Sequence, residues 1–246
     1  MECRTPSRVG RLLAVTGMIA LFGGGAATPG DARIAQGPRV EIQFGAGLAP
    51  DGRSIGVQVL ASCPERWTVV EAAVTLTQPQ ATGTASFPLT CIGSLRSFWI
   101  SVPSSGHAFE LGQAHATASV VVKRGKTESA QDSQALTVQP TVLVELADTA
   151  RLEAGGAGAE IAVTVACPVG TNGLESRLNI SQSGRTSGNG TYTPICDGTR
   201  HTFDVHVRAS EGVYLPGEAV ALTFADIEFQ GEIFSGVDDG PIQLLS

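Results

Sequence analysis

The chain is poor in lysine, in aromatic residues and in charge. Lysine accounts for two of the 16 basic residues, aromatic residues make up 5% of the sequence and charged residues 16%. Acidic residues outnumber basic ones, so the formal net charge at pH 7 is -7. A surface of this sign repels phosphate backbones and anionic lipids. The composition therefore predicts a protein that does not bind nucleic acid.

The chain also lacks an apolar run of membrane-spanning length. The stretch Leu12 to Phe22 has 11 residues, whereas a spanning helix needs about 20. Three arginines precede it and Gly25 to Ala27 follow, which is the three-part pattern of a cleaved secretory signal. We expect residues 1–27 to be a signal peptide and the mature protein to be secreted, extracellular and free of the membrane. Cleavage removes three arginines and one glutamate, which changes the net charge from -7 to -9.

The chain contains an internal duplication. The segment from Cys63 to Ala114 recurs as the segment from Cys167 to Ala219, with an offset of 104 that becomes 105 after one insertion. A period near 105 exceeds that of solenoid repeats, so each copy should fold as a domain of its own. We predict one domain over residues 38–139 and a second over residues 140–246.

The repeated cysteines predict two disulfides. Four cysteines remain after signal cleavage, an even number that suits an oxidising compartment. A bridge that belongs to the repeated unit must join Cys63 to Cys91 and Cys167 to Cys196. Each would close a loop of roughly 29 residues, for which the chain-entropy estimate is about 3.6 kcal/mol. Zinc is the competing interpretation, but neither repeat has a further cysteine or histidine at ligand spacing. We expect no metal and no cofactor.

Apolar residues alternate with polar ones wherever the chain is apolar, which indicates strands with one buried face. No segment of ten or more residues after the signal has a helical period. About seven short strands in roughly 100 residues favour an all-β fold of two tandem immunoglobulin-like β-sandwich domains. A small Greek-key barrel is the alternative, because antibody-type disulfides join strands much farther apart in sequence. The strands predicted in the first repeat are Val40–Phe44, Ile55–Leu60, Val70–Gln78, Thr84–Leu89, Ser97–Val102, Ala114–Val122 and Ala135–Val138.

The residues that could carry catalysis form no recognised motif. Asp204 and His206 share a strand face, and an Asp/His pair can orient a general base, but a G-x-S-x-G nucleophile elbow is absent. His201 and His206 fall on opposite faces of the same strand, so they cannot hold one metal ion there. The acidic residues near the C-terminus match no calcium-loop pattern, and Asp238 to Gly240 is interpreted as a turn. We predict a solvated strand face and no enzymatic activity.

Trp67 and Trp99 are the two tryptophans and the candidate contact surface. Trp99 alternates away from its apolar neighbours, which places its indole on the outer face of a sheet, and Trp67 follows Cys63 in a loop. Exposed aromatic side chains bind sugar rings and protein partners. The second repeat keeps neither tryptophan, which favours the simpler interpretation that Trp99 packs against the adjoining domain or a returning loop.

Both repeats carry a pattern of C-P, then Q, then C-x-G, then an aromatic residue before G-x-A, which in the first repeat is Cys63, Gln78, Cys91 to Gly93 and Phe109 to Ala114. It resembles secreted tandem β-sandwich proteins of high-GC Gram-positive bacteria. The resemblance implies export and a β-rich fold and brings no catalytic residue. The leading hypothesis is a secreted, non-enzymatic binding or spacer module whose partner is an extracellular protein or a glycan. The alternatives are a protease inhibitor that presents the loop from Cys63 to Trp67, and an enzyme whose site the sequence does not reveal.

Overall fold

The computed structural model describes residues 37–184 and 186–246, so the predicted signal peptide lies outside the described residues. The described part of the chain is β-sheet apart from loops and one 3₁₀ turn at Ala154–Gly156. No helix in this part is long and apolar enough to cross a membrane. The strands of the first repeat are β1 Arg39–Leu48, β2 Ser54–Ser62, β3 Thr68–Thr77, β4 Ala81–Ser86, β5 Arg96–Pro103, β6 Ser105–Gly106, β7 Gly112–Arg124 and β8 Lys126–Pro140. Those of the second are β9 Leu143–Leu152, β10 Gly158–Ala166, β11 Asn172–Gly173, β12 Ser176–Gln182, β13 Thr186–Tyr192, β14 Arg200–Ala209, β15 Gly217–Phe229 and β16 Glu232–Leu245.

Each repeat forms its own eight-stranded sheet, in which the seven long strands follow the same cyclic order, while the short strands β6 and β11 are not equivalent. The first runs β5-β2-β1-β8-β7-β3-β4-β6, and the second runs β11-β15-β12-β13-β14-β10-β9-β16. In both sheets the first and last long strands pair in parallel, β1 with β8 and β9 with β16. A further pairing of β15 with β16 closes the second sheet into a barrel. The all-β prediction is confirmed, and the barrel that was kept as an alternative describes the second sheet.

The alternating residues fill two separate cores. On β2, Ile55, Val57, Val59 and Ala61 are all fully buried, as the period of two predicts. Buried residues from 42 to 138 make up the first core, and those from 150 to 244 make up the second. The second core contains two tyrosines whose hydroxyls are hydrogen-bonded. Tyr214 donates to the carbonyl oxygen of Ile180 at 3.1 Å, and burial raises the pKa of Tyr214 to about 12.

Three local predictions are wrong. Val70 is exposed instead of buried, because a bulge between Val69 and Glu71 shifts the register of β3. The turn predicted at Asp238 to Gly240 is the middle of β16. The sequence also predicts a hairpin loop over the glycine-rich segment Ser183 to Thr191, but most of this segment is β13, whose glycines let β14 approach closely. A Cβ added at Gly188 would lie 2.0 Å from the carbonyl oxygen of Arg208.

Candidate functional site

The predicted disulfides are present in both repeats. Cys63 is bonded to Cys91 and Cys167 to Cys196. In each repeat the glycine two positions after the second cysteine donates its backbone N–H to the carbonyl oxygen of the first cysteine. The two N···O distances are 3.0 Å in the first repeat and 3.1 Å in the second. The disulfide and this hydrogen bond hold the loops around the two cysteines in the same way in both repeats. We call this end of each repeat the disulfide end.

A bulge in β1 turns three residues out of the regular ladder. Ile42 and Ala46 pair with the residues of β2 on either side of Gln58, so Gln43, Phe44 and Gly45 together face one residue. Gly45 has φ +105°, a backbone conformation that residues with a side chain rarely adopt. Gly45 therefore favours the bulge, although the alternation of apolar and polar residues does not predict it.

Strand β8 braces this bulge from the other side. The carboxylate of Asp132 accepts a hydrogen bond from the backbone N–H of Ile42 at 2.8 Å. The side-chain amide of Gln134 donates to the carbonyl oxygen of Ile42 at 3.0 Å and to Asp132 at 3.1 Å. These bonds satisfy backbone groups that the bulge removes from the ladder.

Two exposed aromatic residues lie on the two strands that flank Gln58 of β2. Phe44 lies opposite Gln58 on one side, and Trp99 of β5 pairs with Gln58 on the other. The side chain of Phe44 is 89% exposed and that of Trp99 is 67% exposed. We call the surface formed by Phe44, Gln58 and Trp99 the aromatic platform. Phe44 was missed in the sequence because its exposure depends on the bulge.

The indole of Trp99 lies over Gly56 of β2. A Cβ added at Gly56 would lie 2.5 to 2.9 Å from three atoms of the indole, so the ring occupies the space above this glycine. The indole thus lies next to the backbone of β2, while the residue as a whole stays 67% exposed. The amide of Gln58 donates to the hydroxyl of Ser97 at 2.8 Å, which holds a polar group beside the ring.

The sequence favoured packing of Trp99 against the adjoining domain or a returning loop, whereas its side chain is 67% exposed. None of the described residues covers the indole, as its exposure shows. Trp67 behaves differently, because it is half-buried and packs against the first core. Of the two tryptophans proposed as a contact surface, only Trp99 is largely exposed.

The second repeat keeps the bulge and loses the aromatic groups. Three residues of β9 again face one residue of β10, Ala162, and the carboxylate of Asp238 accepts the N–H of Leu146 at 2.7 Å. This carboxylate is equivalent to Asp132. The positions of Phe44 and Trp99 are taken by Asp148 and Asp204. The platform is therefore a property of the first repeat.

The histidines of the second repeat meet carboxylates other than those the sequence suggested. His206 lies 3.3 Å from Glu153 and 3.5 Å from Glu160, both measured from ring nitrogen to carboxylate oxygen. Asp204, its predicted partner, pairs with Ala162 of β10. Asp204 makes no hydrogen bond or ion pair with His206. His206 is largely exposed, and no group of three metal-ligating side chains suited to a metal ion occurs in the described residues.

A cleft of about 620 Å³ lies between the two repeats. One wall comes from the loops of the first repeat at Pro50 to Arg53 and Ala108 to Leu111, and the other from the disulfide end of the second. A Cβ added at Gly198 would lie 3.2 Å from the carbonyl oxygen of Pro50, so the two walls approach each other closely at this point. The charged side chains in the lining are Asp51, Arg53, Glu110 and Asp197.

Asp197 is held ionised by its own turn. Its carboxylate accepts hydrogen bonds from the hydroxyl and the N–H of Thr199 at 2.7 and 2.9 Å, and lies 2.9 Å from Nε2 of His201. These contacts, with that of the Thr199 hydroxyl the largest, lower the pKa of Asp197 to about 2. The hydrogen-bond partners of this carboxylate are thus Thr199 and His201, which lie close to it in sequence.

The loop considered for a protease inhibitor is a turn. Arg66 has φ +64°, in the left-handed region, between Cys63 and the half-buried Trp67. The extended backbone that such an inhibitor presents is not found at this position.

Comparison with known proteins identifies no family. No family model matches the chain, and no curated protein does. Among solved structures the chain is similar to E. coli alpha-2-macroglobulin in its native conformation, at 10% identity and TM-score 0.30, over 84% of this chain and 17% of that one. It is also similar to a point mutant of Salmonella alpha-2-macroglobulin, at 15% identity and TM-score 0.28, over 83% of this chain and 16% of that one. The chain spans about a sixth of the length of these proteins, and similarity this low carries no argument about function.

Proposed function

We propose that this chain is a secreted, non-enzymatic binding protein made of two disulfide-bonded, immunoglobulin-like β-sandwich domains, and that its aromatic platform binds an extracellular glycan. The observation that carries the proposal is the indole of Trp99, which is 67% exposed over Gly56, with Phe44, which is 89% exposed, on the strand at the other side of Gln58. Two large aromatic side chains left this open on one rigid surface are an unfavourable arrangement unless something covers them.

A sugar ring is the ligand that fits the platform best. The open face of an indole packs against the C–H face of a pyranose, while an adjacent amide hydrogen-bonds its hydroxyls. Gln58 supplies that amide between the two rings, and Ser97 adds a hydroxyl. The sheet below is rigid, because Val57 and Val59 on either side of Gln58 are fully buried. Little ordering free energy is then lost when a ligand binds.

The charge of the protein narrows the class of glycan. The chain carries a net charge of -7, which becomes more negative when the predicted signal is removed. Polyanionic polysaccharides would be repelled at low ionic strength. The platform itself holds no charged side chain, so we expect a neutral polysaccharide.

The experiment is a titration of the secreted protein with neutral polysaccharides such as glucan, mannan and xylan, followed by tryptophan fluorescence and by retardation in affinity gels. Trp99→Ala should weaken binding by about 30-fold, because truncating an aromatic hot spot costs about 2 kcal/mol. Phe44→Ala should weaken it less. The melting temperature should hardly change, because both side chains are exposed.

Two further variants test the geometry. Gly56→Ala keeps both aromatic residues but puts a methyl group into the space of the indole, so it should also weaken binding. Val220→Ala is the matched control, since Val220 is 55% exposed on β15 of the second repeat and should bind normally. Wild-type binding by Trp99→Ala, or no binding of any neutral polysaccharide, would refute the proposal. Loss of a protein from pull-downs with Trp99→Ala, without glycan binding, would identify a protein partner instead.

A further inference from the structure

The two repeats are joined head to tail. Loops at one end of the first repeat meet the disulfide end of the second across the cleft. Pro50 and Pro168, which line the opposite walls, are both buried. This contact joins the loop end of one repeat to the disulfide end of the other. The loop end of the second repeat and the disulfide end of the first therefore have no partner of the same kind within the molecule.

The two unused surfaces can be assigned residue by residue from the internal repeat. The free loop end of the second repeat consists of Ala154–Ala157 and Val213–Pro216, which align with the loops of the first repeat in the cleft. The free disulfide end of the first repeat consists of Pro64–Glu65 and Ile92–Leu95, which align with the disulfide loops of the second. Ala154 is exposed and Pro64 half-buried, whereas their buried counterparts at the internal junction are Pro50 and Pro168.

The free ends carry fewer charged residues than the internal junction does. The junction has four charged residues in its lining, Asp51, Arg53, Glu110 and Asp197. At the equivalent positions of the free ends stand Gly155, Ala157, Leu215 and Ile92. Each of these four charges is thus replaced by an apolar residue or glycine, while Glu65 at the free disulfide end stands where the junction has Val169.

Both free ends expose large apolar side chains. At the free loop end Val213 is 44% and Leu215 is 42% exposed. At the free disulfide end Ile92 is 47% and Leu95 is 55% exposed. Clusters of exposed apolar side chains are typical of interfaces, and these two clusters lie on the counterparts of the two surfaces that meet at the internal junction.

We propose that a second copy of this chain docks with its free loop end on the free disulfide end of the first, in the manner of the internal junction, and that copies add head to tail. The partner is a second copy because the surfaces already meet once within each molecule. A heterologous contact of this kind does not close on itself at two subunits, so the assembly grows with concentration. The platform lies on the side strands β1, β2 and β5, so this inference is independent of the proposed glycan binding.

The test is sedimentation velocity and light scattering of the full secreted protein over a wide concentration range. The mean mass should rise with concentration beyond that of a dimer. It should also rise with added salt, because salt screens the repulsion between negatively charged copies and leaves apolar contacts intact. Ile92→Asp and Leu215→Asp should each abolish association at every concentration.

A mixture of the two variants distinguishes head-to-tail contact from symmetric contact. Each variant keeps one intact end, so an equimolar mixture should form dimers and nothing larger. Leu95→Asp and Val213→Asp replace the first pair if either variant fails to fold by circular dichroism. Phe44→Asp is the control, since Phe44 is 89% exposed away from both ends and should associate as the wild type does.

Three outcomes would overturn the inference: a wild-type protein that remains monomeric at its highest soluble concentration, variants at one end that still associate, or a mixture that stays monomeric. Failure of the glycan experiment leaves these outcomes untouched, because Trp99→Ala alters neither end.

Discussion

Each repeat contains a glutamine whose side chain hydrogen-bonds the backbone of a distant loop. The two glutamines can be compared to measure how burial changes the contribution of these hydrogen bonds to stability. The amide of Gln182 donates to the carbonyl oxygen of Leu215 at 2.8 Å and its carbonyl accepts the N–H of Leu215 at 3.0 Å. Gln78 makes the same two bonds with Glu110, at 2.8 and 2.9 Å. Each glutamine has a third, longer bond, of 3.4 Å to Glu218 and 3.3 Å to Gln113 respectively. The geometry is therefore matched within 0.1 Å.

The two glutamines differ in exposure. Gln182 is 6% exposed, whereas Gln78 is half-buried. Two short hydrogen bonds at about 1 kcal/mol each, with a smaller contribution from the long one, predict that Gln182→Ala destabilises the second repeat by about 2 to 3 kcal/mol. Water can reach the groups that Gln78→Ala leaves unpaired, so that variant should cost about 1 kcal/mol. Gln182→Glu should cost more than Gln182→Ala, because it places a carboxylate against two carbonyl oxygens.

The aromatic residues allow both repeats to be followed in one sample. Both tryptophans lie in the first repeat and both tyrosines in the second. Urea unfolding followed by tryptophan fluorescence reports on the first repeat, and the near-ultraviolet tyrosine signal, corrected for tryptophan, reports on the second. Equal losses for the two alanine variants, within about 0.5 kcal/mol, would show that burial does not set the strength of this contact.

Two more outcomes are expected. The lowered pKa of Asp197 means that its charged form stabilises the fold above pH 3.8, the value expected when unfolded, and that this contribution is lost as the pH falls towards about 2. The stability difference between wild type and Asp197→Asn should therefore be constant above about pH 5 and shrink between about pH 4 and 2, as measured by urea midpoints; a constant difference down to pH 2 would contradict the assigned contacts. Residues 37–140 and 141–246 should each fold alone under oxidising conditions, because each contains its own core and disulfide; a fragment that remains unfolded by circular dichroism while the full chain folds would refute this.

Local patterns in the sequence determined much of the secondary structure and the covalent frame. All seven strands predicted in the first repeat overlap strands of the structure, because a half-buried strand must alternate apolar and polar residues. The disulfide pairing followed from the duplication, because equivalent cysteines must have equivalent partners. The outward direction of Trp99 followed from alternation as well.

Long-range pairing decided the rest. Phe44 becomes exposed because a bulge interrupts β1, and that bulge is braced by Asp132, 90 positions away in the sequence. Asp238 lies within a strand because its carboxylate binds a backbone N–H 92 positions away. The parallel pairing of β9 with β16 and the meeting of the two repeats likewise depend on partners distant in sequence. A one-dimensional pattern records which residues favour burial, and only the folded chain determines which backbone groups, bulges and side chains face one another.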